Sequence, residues 1–79
     1  MLLADGFEEA FVGVGRQANL DLAVYDEGKC IEVLVSEGCT NEEAREHFEF
    51  NVVGSYVGKD TPIFLRKATL EEVEEEYAE

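Results

Sequence analysis

Few side chains in this sequence could act as a nucleophile, a base or a metal ligand. The chain has two cysteines, Cys30 and Cys39, and a single histidine, His47. A thiol hydrolase combines a cysteine with a histidine and often an asparagine, and Asn51 lies one helical turn after His47. Nothing in the sequence brings Cys30 to that pair, so we predict structural roles for all three and no catalytic residue. Zinc spacings such as CxxC or HExxH are missing, which predicts no metal site and no cofactor.

A glycine motif at 13–18 matches the dinucleotide fingerprint G-x-G-x-x-[GA] letter by letter. That fingerprint holds a pyrophosphate only where it opens a helix inside a βαβ unit. Here the next residues, 19–22, alternate like a strand, and 79 residues leave no room for such a fold. We therefore predict that the motif binds no nucleotide.

Carboxylates dominate the chemistry, with nineteen acids against six Lys plus Arg and a formal charge of −13. This charge repels DNA, RNA and anionic lipid, so we predict neither direct nucleic-acid binding nor membrane binding. It favours a basic protein partner. Two groups of acids on expected helix faces form the predicted partner-binding surface, namely Glu42, Glu46 and Glu49, and Glu71, Glu72, Glu75, Glu76 and Glu79.

The last eleven residues carry six glutamates and no cation. Pairs such as Glu71/Glu75 and Glu72/Glu76 are like charges one turn apart, each of which destabilises a helix by a few tenths of a kcal/mol. Docking of Leu70, Val73 and Tyr77, or a cationic partner, must then stabilise it. The alternative is a solvated face that only keeps the protein soluble.

Two strands open the chain. Residues 10–16 and 20–25 alternate with a period of two and predict an antiparallel hairpin. In the first strand the alternation separates two sets of side chains, Val12, Val14 and Arg16 on one side and Phe11, Gly13 and Gly15 on the other. The glycine side leaves room for something to lie close.

After the hairpin, the sequence predicts helices. Asp26 is a candidate N-cap for a helix of about ten residues that ends near Gly38. Alternation over 30–35 leaves a strand open as the competing interpretation. Thr40 and Glu43 form a capping box before a stripe of buried residues, Ala44, Phe48 and Val52. Pro62 starts a third strand, and a second capping box at Thr69 starts the acidic helix.

The order β-β-α-α-β-α predicts an α+β fold, a small three-stranded antiparallel sheet with helices packed on one face. We predict one domain over residues 1–68, with the acidic helix of residues 69–79 docked on it. The strand order, 1-2-3 or 2-1-3, stays open, as does the question whether Cys30 and Cys39 meet. With 46% hydrophobic residues the chain should fold.

Several segments together resemble a family of small uncharacterised proteins of tailed bacteriophages and prophages. They are DG at 5–6, AFVGVGR at 10–16, AVYD at 23–26, KCIE at 29–32, EEA at 42–44, FEFNVVG at 48–54 and TPIF at 61–64. The resemblance covers most of residues 5–65 and excludes the acidic tail. It implies a phage setting and expression in the host cytoplasm, which agrees with the sparse thiols and with a start that lacks a secretion signal.

The leading hypothesis is a non-enzymatic protein that binds a basic, nucleic-acid-binding host protein through the carboxylate surface and inhibits or modulates it. Mimicry of nucleic-acid phosphates is one form this can take. The alternative is a small homo-oligomeric module, such as a homodimer, without an inhibitory role. Its apolar partner surface would lie on the glycine-rich face of Phe11, Gly13 and Gly15, or on Phe50 and Tyr56.

Overall fold

A computed structural model describes residues 1–56 and 58–77 of the chain. The strands are β1 (Phe11–Gln17), β2 (Leu20–Asp26) and β3 (Ile63–Leu65), and the α-helices are α1 (Glu27–Ser36), α2 (Asn41–His47) and α3 (Leu70–Glu76). A 3-10 turn, Glu8–Ala10, precedes β1. A π-helical turn, Phe48–Val52, and a 3-10 turn, Val53–Ser55, extend α2. The predicted α+β class and element order are confirmed.

The three strands form one sheet in the order β1-β2-β3. β1 and β2 pair antiparallel, as predicted, but β3 pairs parallel with β2, with Val24 opposite Ile63 and Asp26 opposite Leu65. The prediction of a purely antiparallel sheet is therefore wrong at its third strand. Two helices separate β2 from β3, and a connection of this length can return the chain to the end of the sheet where β2 began.

A β-bulge at Val12 changes which side chains share a face of β1. Phe11 lies opposite Tyr25, whereas Gly13 lies opposite Val24, so the register shifts by one residue between Phe11 and Gly13. Opposed residues point to the same face, and an inserted residue reverses the alternation. Phe11 is therefore on the helix-covered side with Tyr25, and the predicted grouping of Phe11 with the two glycines is wrong.

The space beside Gly15 is filled by the protein itself. A Cβ added at Gly15 would lie 3.0 Å from Cγ2 of Val24 and 3.4 Å from Cδ1 of Ile63. These side chains come from β2 and β3 and lie on the face away from the core. The glycine thus permits close packing within the sheet, and the side chains of Val24 and Ile63 occupy the room expected there.

Hydrogen bonds at both ends explain why residues 27–36 form a helix and not the competing strand. The Asp26 carboxylate accepts a hydrogen bond from the N–H of Lys29 at 3.0 Å. At the other end Gly38 has a φ of 111°, and Cys39 donates back to the Leu34 carbonyl at 3.2 Å. This is the glycine-terminated end that satisfies the last carbonyls of a helix.

The core lies between the sheet and the first two helices. Phe48 is nearly fully buried, and its ring meets that of Phe64 edge to face at 5.2 Å. The predicted stripe of Ala44, Phe48 and Val52 is buried throughout. Tyr25 extends the core toward the N-terminus, where its hydroxyl accepts a hydrogen bond from Ala4 N–H at 2.9 Å.

Helix α3 forms at its predicted capping box but contributes no buried residue to the described structure. Leu70 is 74% exposed and Tyr77 60% exposed, so the expected stripe does not dock on the sheet. The Tyr77 hydroxyl instead accepts a hydrogen bond from Arg66 at 3.2 Å. The helix therefore folds back on the segment that leads into it, because Val73 and Tyr77 face residues 66–68.

Candidate acidic interface

Seven of the eight predicted partner-binding glutamates lie within the described residues, and all seven are exposed. Glu79 lies outside the described residues. The three ion pairs found in the described structure involve other acids, namely Asp21, Asp26 and Glu27. The predicted acidic residues are thus on the surface and have no ion-pair partner within the part of the chain that the structure describes.

The two predicted groups of acids sit on two elements without extensive contact between them, α2 with its π-helical extension and α3. Arg66 lies between the two groups. It lines a groove with Glu49 on one side and a second groove with Glu72 and Glu76 on the other. The structure thus brings Glu49, Glu72 and Glu76 to the neighbourhood of one cation and leaves Glu42, Glu46, Glu71 and Glu75 outside both grooves.

Arg66 and Lys67 connect the end of β3 to the start of α1. Arg66 Nε lies 3.9 Å from Glu27 Oε2, and Lys67 Nζ lies 3.7 Å from Asp26 Oδ2. Both contacts follow from the parallel pairing of β2 with β3. Because Leu65 lies opposite Asp26, the next two residues, Arg66 and Lys67, run alongside the first residues of α1. The pKa of Asp26 is lowered, first by the hydrogen bond from Lys29 N–H and further by the charge of Lys67.

Glu72 has a structural role in addition to its predicted one. Its carboxylate accepts hydrogen bonds from the N–H and the hydroxyl of Thr69 at 3.3 and 3.1 Å, while the Thr69 hydroxyl accepts from Glu72 N–H at 3.1 Å. Thr40 and Glu43 form the same reciprocal pair at the start of α2. Substitution of Glu72 would therefore disturb the helix as well as the surface charge.

The thiol and the imidazole are in very different surroundings. Cys30 is fully buried in α1, and burial raises the pKa of its thiol to about 11. A thiol in such a site stays protonated at neutral pH and is a poor nucleophile. His47 and Asn51 are exposed, and Asn51 Nδ2 lies 3.3 Å from His47 Nδ1, the one-turn contact that their spacing predicts.

The predicted apolar partner surface is not one surface. Tyr56 is half-buried and packs against Phe64 with 6.2 Å between ring centroids, and Phe11 packs edge to face on Tyr25 at 5.6 Å. Gly13 and Gly15 lie on the opposite face of the sheet from Phe11. Phe50 alone projects from the π-helical turn, 78% exposed. The alternation groups Phe11 with Gly13 and Gly15, but these three lie on two faces of the sheet, and of the other two residues only Phe50 is exposed.

Sequence reasoning missed Arg66, near which three of the predicted acids, Glu49, Glu72 and Glu76, lie. Arg66 and Lys67 are the only adjacent pair of basic residues in the chain, directly after the third strand. This basic pair is visible in the sequence, but its contacts with Asp26 and Glu27 depend on the parallel pairing of β3, which was not predicted. Glu74, also exposed on α3, belongs with Glu71 and Glu75 in the acidic group.

Within residues 1–56 and 58–77, no three His, Cys, Asp or Glu side chains are arranged to hold a metal ion. No helix there has the length and apolar character needed to cross a bilayer. Comparisons of the chain with protein-family models, with curated proteins and with solved structures gave no match.

Proposed function

We propose that this chain is a non-enzymatic binding protein that uses carboxylates on α2 and α3 to hold a basic, nucleic-acid-binding host protein and to inhibit or modulate it. One observation carries the proposal. Glu42, Glu46, Glu71 and Glu75 are exposed and have no ion-pair partner among the described residues, while Arg16, Arg66 and Lys67 pair with other acids.

The arrangement on α3 supports a partner of opposite charge. Its helix has seven residues, none buried, and five of the seven are glutamates. Isolated helices this short are marginal in water, and like charges one turn apart weaken them further. A surface rich in Lys and Arg would neutralise these charges on binding, and long-range attraction would speed the encounter.

Nucleic-acid mimicry is the specific form that we propose. Carboxylates along a helix are spaced by multiples of a rise of about 1.5 Å per residue, close to the axial charge spacing of about 1.7 Å in duplex DNA. A host protein that binds phosphates could accept such a row. The resemblance to phage proteins agrees with a host-directed role in the host cytoplasm, and the buried thiol of Cys30 agrees with a non-enzymatic one.

The test uses the full chain as bait in a bacterial lysate at about 50 mM and about 500 mM NaCl, because exposed charge pairs are screened at the higher ionic strength. The test variant replaces four acids by glutamine, at Glu42, Glu46, Glu71 and Glu75. The matched control removes four other exposed carboxylates, at Asp5, Glu32, Glu37 and Asp60. Neither set includes a side chain that caps a helix or forms an ion pair, and Glu37 ends α1 through its main-chain N–H alone.

We expect a basic partner that the wild type and the control variant retain at low salt, that the test variant loses, and that excess duplex DNA releases. Retention that is independent of salt, or equal for both variants, contradicts the proposal. If capture of the partner depends on the four acids but duplex DNA does not release it, the acidic interface is supported and nucleic-acid mimicry is contradicted.

The second candidate, a homo-oligomeric module without an inhibitory role, does not rest on the five apolar residues first proposed. A different exposed surface favours it, the outer edge of β1, where Val12 and Val14 are more than half exposed. The lysate experiment separates the two candidates, because only the first requires a basic partner that the four acids retain.

A further inference from the structure

Strand β1 has one paired edge and one free edge. It is the outermost strand of the sheet, and β2 occupies one side of it. Among the described residues, no main-chain hydrogen bond joins positions 12–17 to any segment other than β2. A strand edge of this kind can accept a further strand through its unpaired N–H and C=O groups.

Few of the devices that normally protect such an edge are present in β1. It contains no proline, no lysine and no carboxylate, and its single charged residue, Arg16, lies near its end. Val12 and Val14 are 54% and 59% exposed. The bulge at Val12 is the one protective feature, and it leaves a regular ladder from Gly13 to Gln17. The edge is therefore both apolar and open.

The apolar surface continues beyond the start of the strand. Leu3, Phe11 and Tyr25 line a hollow of about 310 Å³ whose rim includes Asp5 and Glu8. Met1 and Leu2 are also exposed. Monomeric proteins rarely expose a continuous apolar patch larger than a few hundred Å², and patches above that size mark interaction sites.

Charge along the strand indicates which partner fits. β1 starts two residues after Glu9 and has Arg16, which also pairs with Asp21 of β2, near its other end. In an antiparallel pair related by a two-fold axis, the Arg16 of each copy comes to the carboxylate end of the other strand. A parallel pair would place Arg16 beside Arg16. Because β1 has no acid, two chains of charge −13 also meet there with little local repulsion.

We propose that the outer edge of β1 is a homodimer interface, in which two copies pair antiparallel and form a continuous six-stranded sheet. The contact is isologous, because each copy contributes the same strand to a two-fold interface. Neither α2 nor α3 takes part, so the dimer is independent of the proposed acidic interface and leaves its carboxylates exposed.

The two interfaces respond to salt in opposite directions. Dimerisation brings together two chains of charge −13, so screening this repulsion should strengthen the dimer. Binding of a basic partner should weaken under the same change. The salt dependence therefore shows whether the dimer interface or the acidic interface is wrong, independently of each other.

The experiment is sedimentation equilibrium of the purified chain from about 10 µM to about 1 mM in NaCl of about 20 and about 300 mM, the concentration range suited to dissociation constants of weak complexes. The test variant is Val14→Lys, and the matched control is Val53→Lys, at an exposed valine outside the sheet. Circular dichroism of each variant reports whether it is folded.

We expect the wild type to approach twice the chain mass of 8.8 kDa at high concentration, with a dissociation constant several-fold lower at the higher salt. Val14→Lys should weaken the dimer at least tenfold, and Val53→Lys should leave it unchanged. A wild type that stays monomeric throughout, or a Val14→Lys variant that dimerises like the wild type, overturns the proposal.

Hydrogen exchange on the wild type gives a second measurement that needs no variant. Main-chain amides of β1 that point away from β2 should exchange more slowly as concentration rises, while amides of α3 should not change. Equal exchange at low and high concentration along the whole of β1 contradicts strand pairing even if dimers form by another surface.

Discussion

At the scale of single residues, Cys30 shows how burial fixes reactivity. Its side chain is fully buried among the core residues of α1, and loss of solvation is the main reason why its pKa rises to about 11 from an ordinary value of 9.0. Asp26 and Glu27 raise it further through their negative charges. The thiol therefore acts as a small apolar side chain, which is how buried free cysteines usually behave.

This raised pKa predicts a pH dependence of stability. The folded-state value is above the unfolded one, so the protonated thiol favours the folded state fully below about pH 9, and this contribution is lost as pH rises toward 11. We expect about 2 kcal/mol of the unfolding free energy to disappear over that interval. Urea unfolding at several pH values measures the loss.

The matched comparison is Cys30→Ala, which removes the titrating group and leaves the other residues that titrate in this range. Its unfolding free energy should decline less steeply between pH 9 and 11 than that of the wild type. Equal slopes for the two proteins would show that Cys30 does not ionise differently in the folded and unfolded states.

At the scale of elements, the two capping boxes are alike in geometry but not in surroundings. In α2 the Thr40 hydroxyl accepts from Glu43 N–H at 3.2 Å, and the helix buries Ala44 and, beyond it, Phe48. In α3 the Thr69 hydroxyl makes the equivalent contact at 3.1 Å, and no described residue of the helix is buried. Identical local signals therefore support one packed helix and one exposed helix.

Substituting the two caps separates local from global stability. Thr40→Ala should lower the unfolding free energy of the domain by about 1 kcal/mol, the usual effect of losing an N-cap. Thr69→Ala should leave global unfolding within about 0.5 kcal/mol of the wild type, because α3 is not part of the packed core. Chemical denaturation measures both values, and NMR secondary shifts should show that α3 loses helix in the second variant. A global loss with Thr69→Ala similar to that with Thr40→Ala would indicate that α3 supports the core.

The difference between these helices also shows what the sequence determines here. Caps, terminating glycines and the Phe48 stripe are local patterns that predicted the three α-helices, with a strand left open at α1, and the period-two alternation predicted the hairpin. The bulge at Val12 was missed because a single inserted residue reverses an alternation without changing the composition of the strand. The parallel pairing of β3, and with it the contact of Arg66 with Glu27, depends on how distant segments meet. The acidic residues could be placed on the surface, but not in relation to that arginine.

At the scale of the whole molecule, the charge of −13 opposes the compact state. The folded chain has a radius of gyration of 13.6 Å, and an unfolded chain of this length is about twice as large. Unfolding therefore separates the carboxylates and relieves their repulsion. The three ion pairs of the described residues offer little to offset it, because their N–O distances are long, 3.7 to 3.9 Å, and all three cations are exposed to solvent.

Salt should consequently stabilise the fold. Raising NaCl from about 10 mM to about 500 mM shortens the screening length from about 30 Å to about 4 Å, which removes most of the repulsion between carboxylates. We expect the melting temperature to rise by about 5 °C or more, the shift that about 1 kcal/mol produces in a domain of this size. Thermal unfolding followed by circular dichroism measures it.

The variant with glutamine at Glu42, Glu46, Glu71 and Glu75 should melt at a higher temperature at low salt, and added salt should raise its melting temperature by less. A melting temperature that falls with salt would mean that attractive charge pairs, and not the net charge, dominate the electrostatics of this protein.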